Sequence, residues 1–496
     1  MLPDNKKSYQ MSKEEYDEIK ERMKVELSVL QQQVIAAKIP VIILFEGFSA
    51  SGKGTAISSL ILNFDPRGFN VYSMREPVGR ELRKPWIARF VERIPAAGRI
   101  SVFDRSWYSG LTWVREEIIS KEDLHSDLEE LKLFERQLTD DGYLILKFFL
   151  HISEKEQKRR LDRLLMDKET AWRVTKADLE KLKNYKKNLR FYKSVIEVTD
   201  CPHARWVIVN AQNRYYMRAT VMQRVAEELR VALHKCTTVQ PEQEVVGKPY
   251  VSKKFTLLHT RKIQDYELNR EMSQEEYNKK HSELNDKLQK LHNRIYLNRI
   301  PIIIGFEGND AAGKGGSIRR VARSLDPRGY AVHPISAPTS DELARHYLWR
   351  FCLRLPVTGH IAIFDRTWYG RVLVERVEGF TPQVRIMQAY NEINEFEYML
   401  HKWGAIIVKF WMAIDKEEQL NRFKARENTP EKRWKLTEED WRNREKWDIY
   451  ENAVDDMLRY TNTEFAPWTV VESNSKLYAR IKVLETILDA VEKRLI

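Results

Sequence analysis

Ile302-Ile303-Ile304-Gly305-Phe306-Glu307-Gly308-Asn309-Asp310-Ala311-Ala312-Gly313-Lys314-Gly315 is the stretch that decides the fold. It opens as a continuous apolar run rich in β-branched residues, the pattern of a strand covered on both faces. It closes as glycine, four residues, glycine and lysine, which is P-loop spacing. Glycines let the backbone curl so that several N–H groups face a phosphate, and the following helix N-terminus and the lysine add positive charge. A tight turn that needs glycine only for its backbone angles leaves the lysine unexplained. Gly315 stands where a hydroxyl ordinarily meets Mg²⁺, and a carboxylate, Asp310, stands inside the loop. A carboxylate beside phosphates is repulsive unless a cation or proton lies between them. Asp310 is therefore expected to bind magnesium or to orient the acceptor.

The same stretch occurs earlier as Val41-Ile42-Ile43-Leu44-Phe45-Glu46-Gly47-Phe48-Ser49-Ala50-Ser51-Gly52-Lys53-Gly54. Met11 answers to Met272, Pro40 to Pro301, Lys53 to Lys314, Asp65 to Asp326 and Asp104 to Asp365, at a constant offset of 261. The offset becomes 262 for Lys147 with Lys409, Trp172 with Trp434 and Trp206 with Trp468. A period this long means tandem domains, since solenoid repeats run about 20–50 residues. The second copy thus serves as an alignment of the first. The cradle survives in copy one, but Ser49 replaces the loop carboxylate.

A chain of 496 residues suits two domains, each able to bury a core. The expected division is 1–235, a linker at 236–258 where Gln, Pro, Glu, Gly and Lys break the periodic pattern, and 259–496. The polar start carries no leader-like apolar core, and no apolar run is long enough to span a bilayer. Three cysteines, Cys201, Cys236 and Cys352, share no metal-ligand spacing, and an odd number cannot all pair internally. These features point to a reducing cytoplasm. The net charge of +12 suits a polyanionic partner or an ordinary basic surface. No zinc-finger pattern, aromatic RNA-binding motif or long basic tail is present, so no specific nucleic-acid partner is expected.

Each copy opens with a charged helical stretch, about 11–37 and 272–298. Short apolar runs then alternate with helical sequence: Asn70–Met74, Ile100–Phe103, Tyr143–Ile152 and Trp206–Val209, answered by Ala331–Ile335, Ile361–Phe364, Ala405–Ile414 and Trp468–Val471. This alternation predicts an α/β fold with a parallel sheet in each copy. Right-handed crossovers then gather the strand-ending loops on one edge, where ligands bind. No strand is expected between Ile152 and Thr199 or between Ile414 and Thr461. Both stretches are charged, helical and Trp/Arg/Lys-rich, in the place where kinases carry a lid.

A second constellation, Phe364-Asp365-Arg366-Thr367-Trp368-Tyr369, follows a strand. An acidic residue at a strand end facing a P-loop can serve the metal, and the adjacent arginine can clamp phosphate oxygens. A local ion pair that fixes the loop is the plainer reading. Trp368 and Tyr369 are expected to pack rather than to stack on a base. Arg371 and Arg376 follow, and the lid carries Arg422, Arg426 and Arg433. Copy one has Gly110, Arg115, Arg160, Leu164 and Ala171 at these places. It has thus lost several cations along with the carboxylate.

With GNDAAGKG, the DPRG turn, FDRTWYGRVLVERV and the RWKL stretch that runs on to TNTEFAPW, the chain resembles the polyphosphate kinase 2 family over nearly all of both copies, in its tandem subgroup. The resemblance implies two P-loop kinase-like domains with helical lids. It implies Mg²⁺-dependent transfer of a phosphoryl group from inorganic polyphosphate to AMP, giving ADP. It places roles on Asp310, Lys314, Asp365 and Arg366, with Asp310 and Asp365 at the metal. Gly308, Ala311, Ala312, Gly313, Gly315, Arg371, Arg376, Arg422, Arg426 and Arg433 would meet phosphate. Copy one departs at Ser49, Gly110, Leu164 and Ala171 and is expected to be degenerate. An ATP- or polyphosphate-dependent nucleoside diphosphate kinase and a non-catalytic nucleic-acid-binding module are the competing readings.

Overall fold

The computed structural model describes residues 9–114, 121–238 and 247–495. The chain divides into two compact units. The first takes residues 1–82, 86–242 and 340–346, and the second 83–85, 243–339 and 347–496. Arg115 and the polar start lie outside the described residues.

The first unit holds a five-stranded sheet of β1 (Val41–Gly47), β2 (Phe69–Ser73), β3 (Ile100–Asp104), β4 (Leu144–His151) and β5 (Trp206–Asn210), in the order β2-β3-β1-β4-β5. The second repeats it with β6 (Ile302–Gly308), β7 (Tyr330–Pro334), β8 (Ile361–Asp365), β9 (Ile406–Ala413) and β10 (Trp468–Glu472), in the order β7-β8-β6-β9-β10. Every pairing is parallel. The P-loop strand is central in both sheets and buried along its length, which explains its continuous apolar run.

In the second unit one face of the sheet meets the helices Gln274–Leu297, Lys314–Arg323 and Lys476–Leu495, with Ile302, Ile304, Phe306, Phe410 and Met412 in that core. Ser273 caps the first of these through Glu276 N at 3.1 Å, and Ser12 closes a capping box with Glu15 on the matching helix of the first unit. Both expected lids are helical. They run from Glu154 to Thr199 and from Lys416 to Thr461, with no strand among their described residues.

The stretch read as a linker is partly structured. Cys236 lies in the helix Arg214–Thr238. Ser252 N donates to Asn391 Oδ1 at 2.8 Å and Leu258 N to Asn462 O at 2.7 Å, so this part packs on the second unit.

Register brings the two motifs together. Phe306 pairs with Asp365, so the carboxylate sits at the sheet edge from which the P-loop departs. Phe45 pairs with Asp104 in the same way.

Candidate active site

Gly308 begins the loop at φ +150°, and a Cβ there would run into the carbonyl oxygen of Met412 on β9. No other residue fits at that point. Ala311 lies at φ +63° and Gly313 at φ +104°, so the chain turns sharply into the helix that starts at Lys314. Lys314 Nζ donates to Gly308 O at 2.6 Å and to Asn309 O at 3.2 Å, which holds its ammonium over the cradle. Ala312 is buried beneath the loop, whereas Gly315 has open space around it.

Asp310 is the point where loop, strand end and lid meet. Its Oδ2 accepts from Asn443 Nδ2 at 2.8 Å, and its Oδ1 lies 3.7 Å from Arg366 Nη2. Burial disfavours the Arg366 charge, but the carboxylates of Asp310 and Glu307 outweigh it and raise the guanidinium pKa. Arg366 is held at φ +67°, with its N–H donating to Phe306 O at 3.0 Å. An arginine in the left-handed region is strained, a cost of order 1–3 kcal/mol that clusters at functional sites. Asp365 is half-buried at the end of β8.

The expected cations divide into groups. Arg371 stacks 4.3 Å over the ring of Tyr347 and pairs with Glu375 at 2.7 Å. Arg376 bonds Asp456 at 2.8 Å and Tyr390 Oη at 2.6 Å. Arg433 is exposed on the lid, its Nε on Glu427 O at 2.7 Å, and Arg426 is half-buried there. Arg422 departs from expectation. It is buried, and it spends its donors on Glu418 at 2.5 Å, Ala311 O at 2.9 Å, Ser473 O at 2.6 Å and Asn474 O at 2.9 Å. It ties the lid to the loop from behind. Arg160 does the same in the first unit, on Glu156, Ala50 O, Ser51 O, Ala211 O and Gln212 O. A task kept in both units is a task of the fold, so Arg422 is corrected from phosphate ligand to loop support.

Trp368 and Tyr369 pack, as expected. Trp368 Nε1 and Tyr369 Oη both donate to buried Glu397, and Lys409 Nζ reaches Glu397, Tyr369 Oη and Thr461 O at 2.8, 2.8 and 2.9 Å. Trp107, Tyr108, Glu135, Lys147 and Thr199 repeat the network. Within the shared motif, the aromatic half therefore serves the fold, and the acid–arginine half faces the loop.

The first unit uses its cradle differently. Ser49 Oγ donates to Asp178 Oδ1, a lid carboxylate, at 2.7 Å. Burial opposes the Asp178 charge, yet the hydrogen bonds from Ser49 and Thr175 prevail and lower its pKa. Lys53 is pushed down by burial, against the pull of Asp104. Gly110, in the place of Arg371, lies under Phe90 and Trp86. Phe48 stacks on Tyr185 at 4.6 Å, and Tyr192 closes on Phe149 at 4.9 Å. Asn309, Trp447, Val454 and Trp411 take those places in the second unit, where they line a cavity of about 450 Å³ beside the loop.

Sequence reasoning did not reach Asn443 or Glu307. Nothing local marks the asparagine, which meets Asp310 only through the fold. Glu307 precedes the loop glycine in an apolar strand, and a charge in a buried run was the available signal.

Two parallel sheets, each carrying a P-loop that faces an acid–arginine strand end and a helical lid, define a P-loop phosphotransferase architecture. The polyphosphate kinase 2 family model matches residues 10–236 and again 271–496, and the chain belongs to that family. It is 42% identical over 464 residues to a polyphosphate:AMP phosphotransferase of Pseudomonas aeruginosa, covering 93% of this chain and 92% of the relative. It is 38% identical over 453 residues to a polyphosphate:AMP phosphotransferase of Acinetobacter johnsonii, covering 90% of each. A crystal structure of a polyphosphate kinase 2 from Pseudomonas aeruginosa PA01 superposes with a TM-score of 0.85 at 38% identity, covering 98% of both chains.

Proposed function

We propose that the second unit transfers the terminal phosphoryl group of inorganic polyphosphate to AMP, giving ADP and a chain one phosphate shorter. The relatives that match over nearly the whole chain carry this activity in their names, and the duplicated P-loop gives it a place. The observation that carries the reading is the Asp310–Arg366–Asn443 meeting at the mouth of the loop, which among the described residues belongs to the second unit alone. The boundaries 1–235, 236–258 and 259–496 serve as the working division, with transfer assigned to the last segment.

An oxygen of the AMP phosphate attacks the terminal phosphorus. The bond to the bridging oxygen breaks, and the shortened chain leaves with the electron pair. Such transfer passes through a loose transition state, so the protein mainly positions groups and neutralises charge. Lys314 and the loop N–H groups cradle the phosphoryl group in transit. Arg366 neutralises its oxygens and is held in place by Asp310. Arg371, Arg376, Arg426 and Arg433 offer further positive charge for the polyanion. The lid, fastened to the loop through Asn443 and Arg422, excludes water.

No group of three or more His, Cys, Asp or Glu side chains suited to a metal occurs among the described residues. Mg²⁺ typically takes one or two carboxylates, with substrate phosphates and water filling its shell, so Asp310 and Asp365 fit it as a donor set. Held by Asp310 and Asp365, it would supply positive charge that offsets the negative charge of the phosphoryl group in transit. No described helix is long and apolar enough to cross a membrane, and three free cysteines support a reading in which the protein works in a reducing cytoplasm.

The test is donor identity. Purified protein with Mg²⁺, AMP and long-chain polyphosphate should form ADP, with ATP a poor replacement donor. Equal turnover with ATP, or none with polyphosphate, would overturn the assignment.

A further inference from the structure

We propose that Arg320 and Arg480 form a second anion subsite of the second unit, beside the phosphate cradle, which holds the body of the polyphosphate chain while its terminal group lies on Lys314. The inference rests on the second unit being the transferring one.

Arg320 lies on the helix Lys314–Arg323, which starts at the cradle, and Arg480 on the helix Lys476–Leu495 packed beside it. Arg320 Nη1 donates to Gly316 O at 3.0 Å. A Cβ at Gly316 would lie 3.9 Å from Arg320 Nη1 and 4.0 Å from Arg480 Nη2, so the two guanidinium groups close on one point. Gly316 stands two residues beyond Lys314, and Gly315 between them has open space around it. The first helical turn thus offers bare backbone from the loop lysine to the arginine pair. Neither arginine has an ion pair with a carboxylate among the described residues. Burial, then the charge of Arg320, lowers the Arg480 pKa. His281, on the helix Gln274–Leu297, is lowered by burial and then by Arg320, Arg480 and Arg323, so the whole neighbourhood is cationic.

The first unit lacks this pair. Ser59 stands in place of Arg320, and Thr55 in place of Gly316. Arg218, the counterpart of Arg480, donates from Nε to Ser59 Oγ at 2.5 Å and lies 4.3 Å over the ring of Tyr16. One arginine held by a hydroxyl and a ring is a contact of the fold. Two arginines brought to one point are not, because like charges at short range repel. The second unit therefore carries positive charge that its packing does not require and that an anion relieves. Inorganic polyphosphate is the matching ligand. It repeats its negative charge at every phosphate, so with the terminal group on Lys314 the following groups must run on along the protein. The bare turn leads them to Arg320 and Arg480. AMP has a single phosphate group and none to spare for a second subsite. Contacts to the body of the chain are the same before and during transfer, so they strengthen binding without lowering the barrier.

Arg320→Ser installs the first unit's own residue, and Arg480→Gln removes the second charge. In the polyphosphate–AMP assay each should raise KM for long-chain polyphosphate about fivefold or more, with kcat and KM for AMP within about twofold, the signature of lost uniform binding. Arg319→Ser removes the same charge from the exposed face of the same helix and should leave KM for polyphosphate within about twofold. Arg320→Ser should melt no lower than wild type, since it relieves a repulsion. Lys314→Ala, run alongside, tests the site itself: activity without Lys314 would overturn the site assignment. An unchanged KM for polyphosphate in Arg320→Ser, an equal rise in Arg319→Ser, a rise in KM for AMP instead, or loss of folding in Arg320→Ser would overturn the subsite alone.

Discussion

Ser49 and Asp178 lie 129 residues apart, and a 2.7 Å hydrogen bond closes the first unit's lid onto its own phosphate loop. The second unit builds the reverse arrangement. There the carboxylate, Asp310, is on the loop and the neutral partner, Asn443, is on the lid. Asp178 also feels the charge of Arg105, so a fixed anion already serves that cradle. A diffusing phosphate would have to displace it.

The two loop lysines should therefore differ. Lys314→Ala should abolish transfer, and Lys53→Ala should leave most of it. Turnover of both variants at saturating polyphosphate and AMP checks this. Equal damage from Lys53→Ala in a folded protein would refute the division of labour.

Asp310→Asn keeps shape and removes the charge beside Arg366. Turnover should drop by roughly two orders of magnitude, as for loss of a preorganised charge at a reacting centre. The melting temperature should stay close to wild type, because the loop faces the ligand. Steady-state kinetics with a thermal melt distinguishes this from misfolding.

Lys409→Met should cost stability rather than chemistry. It leaves Glu397, which takes hydrogen bonds from Trp368 and Tyr369, as a buried carboxylate without its cation. Burial already raises the Glu397 pKa and lowers that of Lys409. Breaking one side of such a pair costs about 3–5 kcal/mol. Chemical denaturation would measure it, and a loss within error would show that the network contributes little.

The first unit should weaken in mild acid. Burial, then the charge of Lys193, lowers the His151 pKa from 6.5 to about 4. Neither ring nitrogen has a hydrogen-bond partner among the described residues. The folded value lies below the unfolded one, so the unfolded chain binds more protons at intermediate pH. Stability is then present above the ordinary histidine range and declines as pH falls from 6.5 towards about 4. Ala413 occupies the equivalent place in the second unit. His151→Ala should flatten this slope in calorimetric scans between the two values, and an unchanged slope would assign the effect to other groups.

Much of this protein is determined by sequence alone. The repeat, the buried central strand, the P-loop and the alternation of strand and helix are local patterns of period and spacing, and local patterns survive into the fold because backbone geometry enforces them. So do Lys314 on its cradle and Asp365 at its strand end. What the tertiary structure decided depends on which side chains share an environment across long separations. Arg422 reads as one more lid cation until four acceptors close around it. Glu307 reads as a charge in a strand until Glu46 is seen to hold a donor that it lacks. The tie between Asp310 and Asn443 spans 133 residues. Spacing along a chain reports what the backbone can do, whereas the charge state and duty of a buried group depend on its neighbours in space, which the sequence names but does not place.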